Sequence, residues 1–107
     1  MQTYSNLVNG KPVEATGHQE IFNPATGDSL GLAAISSEQD VYNAVIAARS
    51  AQKDWARVSD QERQEAVARV AQVLQDNSEY LAELITRDQG KPLSGPGSRF
   101  EMQACMG

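Results

Sequence analysis

Apolar and polar positions follow two different rhythms along this chain. Through residue 35 the apolar residues come in short runs broken by turn residues. Tyr4 to Val8 and Lys11 to Glu14 flank Asn9-Gly10, two residues that both tolerate positive φ, and this predicts a hairpin. Ala15-Thr16-Gly17-His18 marks a second turn, and Gln19 to Asn23 a further extended piece. Pro24-Ala25-Thr26-Gly27-Asp28 turns the chain again, with proline presetting φ and glycine supplying positive φ, and Ser29 to Ile35 returns as a strand. Two consecutive hairpins are the simplest reading. Isolated hairpins are only marginally stable, so these need a surface to lie on.

From residue 36 the apolar spacing becomes helical. Ser36-Ser37, with Asp40 behind them, opens a first helix whose face is Val41, Ala44, Val45, Ala48 and Trp55, flanked by Tyr42 and Ile46. Trp55 is expected to plug the core where this helix turns into the next. Ser59 and Glu62 have capping-box spacing, and Asp60 and Glu62 suit the positive end of a helix dipole. Ala66, Val67, Val70, Ala71 and Leu74 then make one face of a second helix, with Gln64, Glu65, Gln72 and Gln75 mostly opposite. Asn77 or Ser78 is expected to cap a third helix, with Tyr80, Leu81, Leu84 and Ile85 inward, Gly90 ending it and Pro92 blocking its resumption. After a loop at Ser94-Gly95-Pro96-Gly97, Ser98 and Glu101 repeat the capping-box spacing ahead of Phe100, Met102, Ala104, Cys105 and Met106. That helix is expected to be cut short, since the sequence stops on apolar residues with no terminating signal.

Composition narrows the function classes. The chain has 107 residues, 40% hydrophobic and 21% charged, with a net charge of -5. Length and mix fit one globular domain. The acidic balance argues against nucleic acid and anionic membrane as partners. The apolar run Leu30 to Ile35 is too short to span a bilayer, and the first residues carry neither a basic stretch nor an apolar core of the secretory kind. A single cysteine, Cys105, excludes an internal disulfide and fits a reducing compartment, so a cytoplasmic protein is expected. One histidine, His18, and one cysteine do not make a zinc site of the usual kind.

The residues hold no complete active site. Gly95-Pro96-Gly97 does not fit a dinucleotide fingerprint, and Gly90-Lys91-Pro92 reads as a helix stop rather than a phosphate loop. Cys105 has no histidine near it in sequence and is expected to be buried packing. Glu62, Glu65, Glu79 and Glu83 fall on solvated helix faces.

Taken together, Val8-Asn9-Gly10-Lys11-Pro12-Val13, Asn23-Pro24-Ala25-Thr26-Gly27, the helix ending in Trp55 before Ser59-Asp60-Gln61-Glu62-Arg63, and Asp88-Gln89-Gly90-Lys91-Pro92-Leu93 resemble, in that order, the N-terminal part of the NAD(P)-dependent aldehyde dehydrogenase superfamily. The resemblance covers Leu7 to Gly107. It implies an α+β fragment of an α/β fold: hairpins over residues 1–35, a three-helix layer over 36–92, and a loop with the start of a truncated helix over 93–107. All would belong to an incomplete cofactor-binding domain. It further implies a parent that oxidises an aldehyde with NAD or NADP through a cysteine nucleophile and a glutamate. Those family residues come after the matched region, so no residue here is expected to be catalytic or to bind cofactor. A monovalent cation held by the carbonyls of Ile21 or Phe22 and by Glu101 is also implied, as is the remainder of the parent as partner. Without that remainder the apolar faces of Val41 to Trp55, Val67 to Leu74, Leu81 to Ile85 and Phe100 to Met106 are left uncovered, so a second copy of the chain is expected as a further partner. The rival class is a stand-alone helical interaction module.

Overall fold

The computed structural model describes residues 2–106. Five strands precede four helices: β1 (Thr3–Tyr4), β2 (Asn6–Val8), β3 (Lys11–Val13), β4 (Gly17–Phe22), β5 (Ser29–Ile35), α1 (Glu38–Trp55), α2 (Asp60–Asp76), α3 (Ser78–Gln89) and α4 (Ser98–Met106). Two compact units share them. Among the described residues, one holds 2–21 and 30–58, the other 22–29 and 59–106.

In the first unit the Asn-Gly hairpin forms as expected. β2 and β3 pair antiparallel with Val8 opposite Lys11, and Asn9 and Gly10 take φ of 53° and 73°. β4 and β5 are neighbours in a second sheet, and the short loop between them requires them to be antiparallel. The expected single strand from Tyr4 to Val8 is instead two strands. β1 leaves the hairpin and runs parallel to β5, Thr3 opposite Leu32 and Tyr4 opposite Ala33. Gly31 makes this possible. A Cβ there would stand 2.5 Å from the Gln2 carbonyl oxygen, which accepts from Leu32 N–H at 2.8 Å. Such a pairing joins segments far apart in sequence, so no local pattern announces it.

α1 starts at a complete capping box. Ser37 Oγ accepts from the Asp40 amide at 3.1 Å and Asp40 Oδ2 accepts from the Ser37 amide at 2.9 Å. Reciprocal capping of this kind stabilises a helix by about 1 kcal/mol. Leu7 and Val8 of the hairpin and Val41, Ala44 and Val45 of α1 line a shallow groove, at whose rim the Asn6 amide donates to Ser36 Oγ at 2.7 Å. Trp55 does not plug a core. It is 43% exposed and walls a cleft with Ala48, Ala51 and Val58.

In the second unit α3 and α4 pack on each other and α2 touches α4. The core lies at the first of these contacts, where Ala82, Ser98 and Met102 are buried. Tyr80, expected inward, is exposed, and Ala82 takes the central place, since only a small side chain lets α4 approach. Ser59 caps α2 by accepting from the Glu62 amide at 3.2 Å. Asn77 does not cap α3 with its side chain. Its amide instead donates to the Val73 carbonyl at 2.8 Å, closing the end of α2. Val67, Val70 and Val73 of α2 remain exposed.

Candidate functional site

The densest polar arrangement lies in the second unit, where α3 ends and α4 begins. Gly90 closes α3 in the left-handed conformation, φ 73°, with its N–H on the Thr86 carbonyl at 2.8 Å. Its bare α-carbon faces the loop between β4 and β5. A Cβ at Gly90 would lie 2.9 Å from Pro24 Cγ and 3.1 Å from the Ala25 nitrogen. The loop holds its own shape. Asn23 Oδ1 accepts from Ala25 N–H at 2.9 Å, Thr26 Oγ1 from Asp28 N–H at 3.2 Å, and the Asn23 amide donates to the Asp28 carbonyl at 2.8 Å. These are side-chain-supported turns, the arrangement for which Asn, Thr and Gly are suited. The Asn23–Gly27 and Gly90–Pro92 segments therefore meet, glycine against proline.

Beyond Gly90 the chain folds back through Pro92. The Ser98 amide donates to the Pro92 carbonyl at 3.0 Å and the Arg99 amide to the Leu93 carbonyl at 3.1 Å. Gly97 sits so close that a Cβ would come within 1.9 Å of the Pro92 oxygen. Ser98 was expected to cap α4. Instead it lies inside the helix, fully buried, and its Oγ accepts from the Thr86 hydroxyl at 2.8 Å. Glu101 does not return to the Ser98 amide to complete a box, because that amide is already held by Pro92, and its carboxylate pairs with Lys91. Next to Ser98 in the first turn of α4, Arg99 grips Glu79 in the first turn of α3, with Nε at 3.1 Å from both carboxylate oxygens and Nη2 at 2.6 Å from one. The hydrogen bonds from Arg99 hold the Glu79 carboxyl below the ordinary glutamate value.

Ile21 is half-buried near the end of β4, Phe22 is exposed, and Glu101 is half-buried beside Lys91. Cys105 is exposed rather than buried, because it falls in the last turn of α4 at the margin of the stripe centred on Ser98 and Met102. Among the described residues no group of three or more His, Cys, Asp or Glu side chains is placed to hold a metal ion. Sequence reasoning missed the Thr86–Ser98 and Glu79–Arg99 pairs. The Ser98–Glu101 spacing that suggested a cap was the signal available for the first. The arrangement is one of mutual neutralisation: acids meet bases, and turn residues satisfy one another.

The family model described as "Aldehyde dehydrogenase family" matches residues 12–106. The chain belongs to the aldehyde dehydrogenase family. Malonate-semialdehyde dehydrogenase of Lacticaseibacillus casei is 37% identical over 95 residues, which are 87% of this chain and 19% of that protein. The NAD-dependent aldehyde dehydrogenase of Sinorhizobium meliloti superposes with a TM-score of 0.90 at 32% identity, over 98% of this chain and 22% of that one. The NADP-dependent glyceraldehyde-3-phosphate dehydrogenase of Bacillus halodurans C-125, solved with NADP, gives 0.89 at 28% identity, over 96% and 22%. The chain thus spans about a fifth of the length of these aldehyde dehydrogenases, as a fragment of the fold. The turn packed on Gly90 and the Pro92 fold-back are, in this light, pieces of an aldehyde dehydrogenase scaffold.

Proposed function

We propose that this chain serves as scaffold within an aldehyde dehydrogenase, whose oxidation of an aldehyde to a carboxylic acid with NAD or NADP is carried by residues the chain does not contain. The match of residues 12–106 to the family, set against a fifth of the relatives' length, is the observation that carries this reading. The remainder of such an enzyme is its partner, the compartment is the cytoplasm, and the working form is a homo-oligomer. Neither nucleic acid nor membrane is a partner. The net charge of -5 supports the first exclusion, and among the described residues no helix is long and apolar enough to cross a membrane. The proteins named above act on different aldehydes, so the substrate class is an aldehyde and no narrower.

By itself the chain is proposed to be catalytically silent and to bind neither nicotinamide cofactor. Incubation with malonate semialdehyde and NAD or NADP should give no reduced cofactor, and calorimetry no binding heat. Turnover that disappears in Cys105→Ala would overturn this and make Cys105 a nucleophile. The cation reading for Ile21, Phe22 and Glu101 rests on the resemblance, and Lys91 would have to release Glu101 first. A melting temperature that rises with potassium or sodium in the intact chain, but not in Glu101→Gln, would support it. An equal response in both would remove it.

A further inference from the structure

The chain has five asparagines, and four of them have their side-chain amides engaged. Asn6 donates to Ser36, Asn23 accepts from Ala25, Asn43 accepts from Gln39, and Asn77 donates to Val73. Asn9 differs. It is exposed, stands at the tip of the β2–β3 turn, and is followed by the one residue type with no side chain to obstruct attack from the main chain. A Cβ at Gly10 would meet nothing within 4 Å, so the space around the peptide bond is open. The two strands that hold the turn are three residues each, and β3 is exposed throughout. A two-stranded hairpin of this size is marginal and frays readily, which lets the turn sample other backbone angles.

We propose that Asn9-Gly10 is a site of spontaneous modification, at which Asn9 converts through a cyclic imide to isoaspartate and thereby opens the hairpin. The main-chain nitrogen of Gly10 attacks Cγ of Asn9. The N–Cγ bond forms, the Cγ–Nδ2 bond breaks, and ammonia leaves with the proton that the Gly10 amide gives up. Water then opens the ring at either carbonyl. One product is aspartate; the other, isoaspartate, carries the main chain through the side-chain methylene. Asparagine is a thermolabile residue for this reason. The other four sites are poorer. Asn23 precedes Pro24, whose nitrogen has no proton to lose, and Asn43 lies within α1, where the helix holds the backbone. Asn6 and Asn77 are followed by Leu7 and Ser78, whose side chains crowd the attacking nitrogen.

The consequence follows from register. A two-residue turn sets Val8 opposite Lys11, and positive φ at both turn positions sets the twist. An added main-chain carbon and a new negative charge satisfy neither condition. The test is to hold the purified chain in warm, mildly alkaline buffer and map peptides for aspartate and isoaspartate at all five positions. Asn9 should convert at least several-fold faster than any other asparagine, with isoaspartate the major product, and Asn9→Gln, which keeps Gly10, should abolish the change at that position. The converted chain, separated by charge, should lose hydrogen-exchange protection in β2 and β3 while α3 and α4 keep theirs. Equal conversion at Asn9 and Asn77 would overturn the site, and unchanged protection in β2 and β3 would overturn the opening.

Discussion

The hydroxyl of Thr86 on α3 donates to Oγ of Ser98 on α4 at 2.8 Å, across a point where Ser98 has no exposed surface at all. The pair ties two helices together where an unpaired hydroxyl would have no water to turn to. Removing one partner of a buried hydrogen bond costs about 1–3 kcal/mol. Ser98→Ala should therefore lower the denaturant midpoint without changing the slope. Thr86→Val with Ser98→Ala should recover part of the loss, because no donor is then stranded. A double variant as unstable as the sum of the two single changes would remove the pair from the account.

Gly90 offers a second test. Alanine there meets both left-handed φ and Pro24, whereas alanine at Gly27 meets only the φ of 80° with nothing within 4 Å. The backbone term alone is about 1–2 kcal/mol. Gly27→Ala should cost about that much in equilibrium unfolding, and Gly90→Ala more. Equal costs would mean that the loop yields freely.

The two caps predict a graded response. Ser37 takes part in both halves of a capping box, while Ser59 accepts from Glu62. Ser59→Ala should destabilise by about 1 kcal/mol and Ser37→Ala by at least as much. Thermal melts of both variants would check the order.

The Glu79–Arg99 pair should make a small pH-dependent contribution. Arg99 depresses the folded-state value of Glu79, so its stabilisation is complete above the ordinary glutamate range. It is lost as the pH falls below that range toward the depressed value. The pair is exposed, so salt should weaken it. Melts of the parent chain and Glu79→Gln across acid pH should converge at the low end. Curves that stay parallel would show that the pair does not couple to folding.

Val67, Val70 and Val73 of α2 are 63%, 60% and 58% exposed. Burial of a side chain of this size is worth about 1.5–3 kcal/mol. A stripe of three favours self-association when nothing else covers it. Sedimentation at several concentrations should show a homo-oligomer, and Val70→Asp should shift it toward monomer. A concentration-independent monomer would support the rival reading of a stand-alone interaction module.

Much of this architecture was legible because its causes are local. Asn9-Gly10 dictates its own turn, Ser37 with Asp40 dictates a helix start, and Gly90 dictates a helix stop. The errors lie where distant segments meet. Nothing around Thr3 says that its partner is Leu32, and the Ser98–Glu101 spacing cannot tell a cap from a serine facing a neighbouring helix. Asn23–Gly27 and Gly90–Pro92 were each visible as motifs. That they touch depends on the absence of a Cβ at Gly90, which matters only in three dimensions. Apolar spacing points Tyr80 inward with Leu81, Leu84 and Ile85, and the helix-helix turn points Trp55 inward, yet both are exposed and the small Ala82 is buried instead.

The parallel pairing of β1 with β5 bears on the order of assembly during synthesis. Thr3 and Tyr4 leave the ribosome before Leu32 and Ala33, so the edge they join does not exist until those residues have followed. The Thr3–Tyr4 segment must wait unpaired while the hairpin next to it can already close. Closing so long a loop costs entropy that only a finished sheet offsets. Gly31 is thus a landing place kept clear for a strand that is made before its partner and seated only after it.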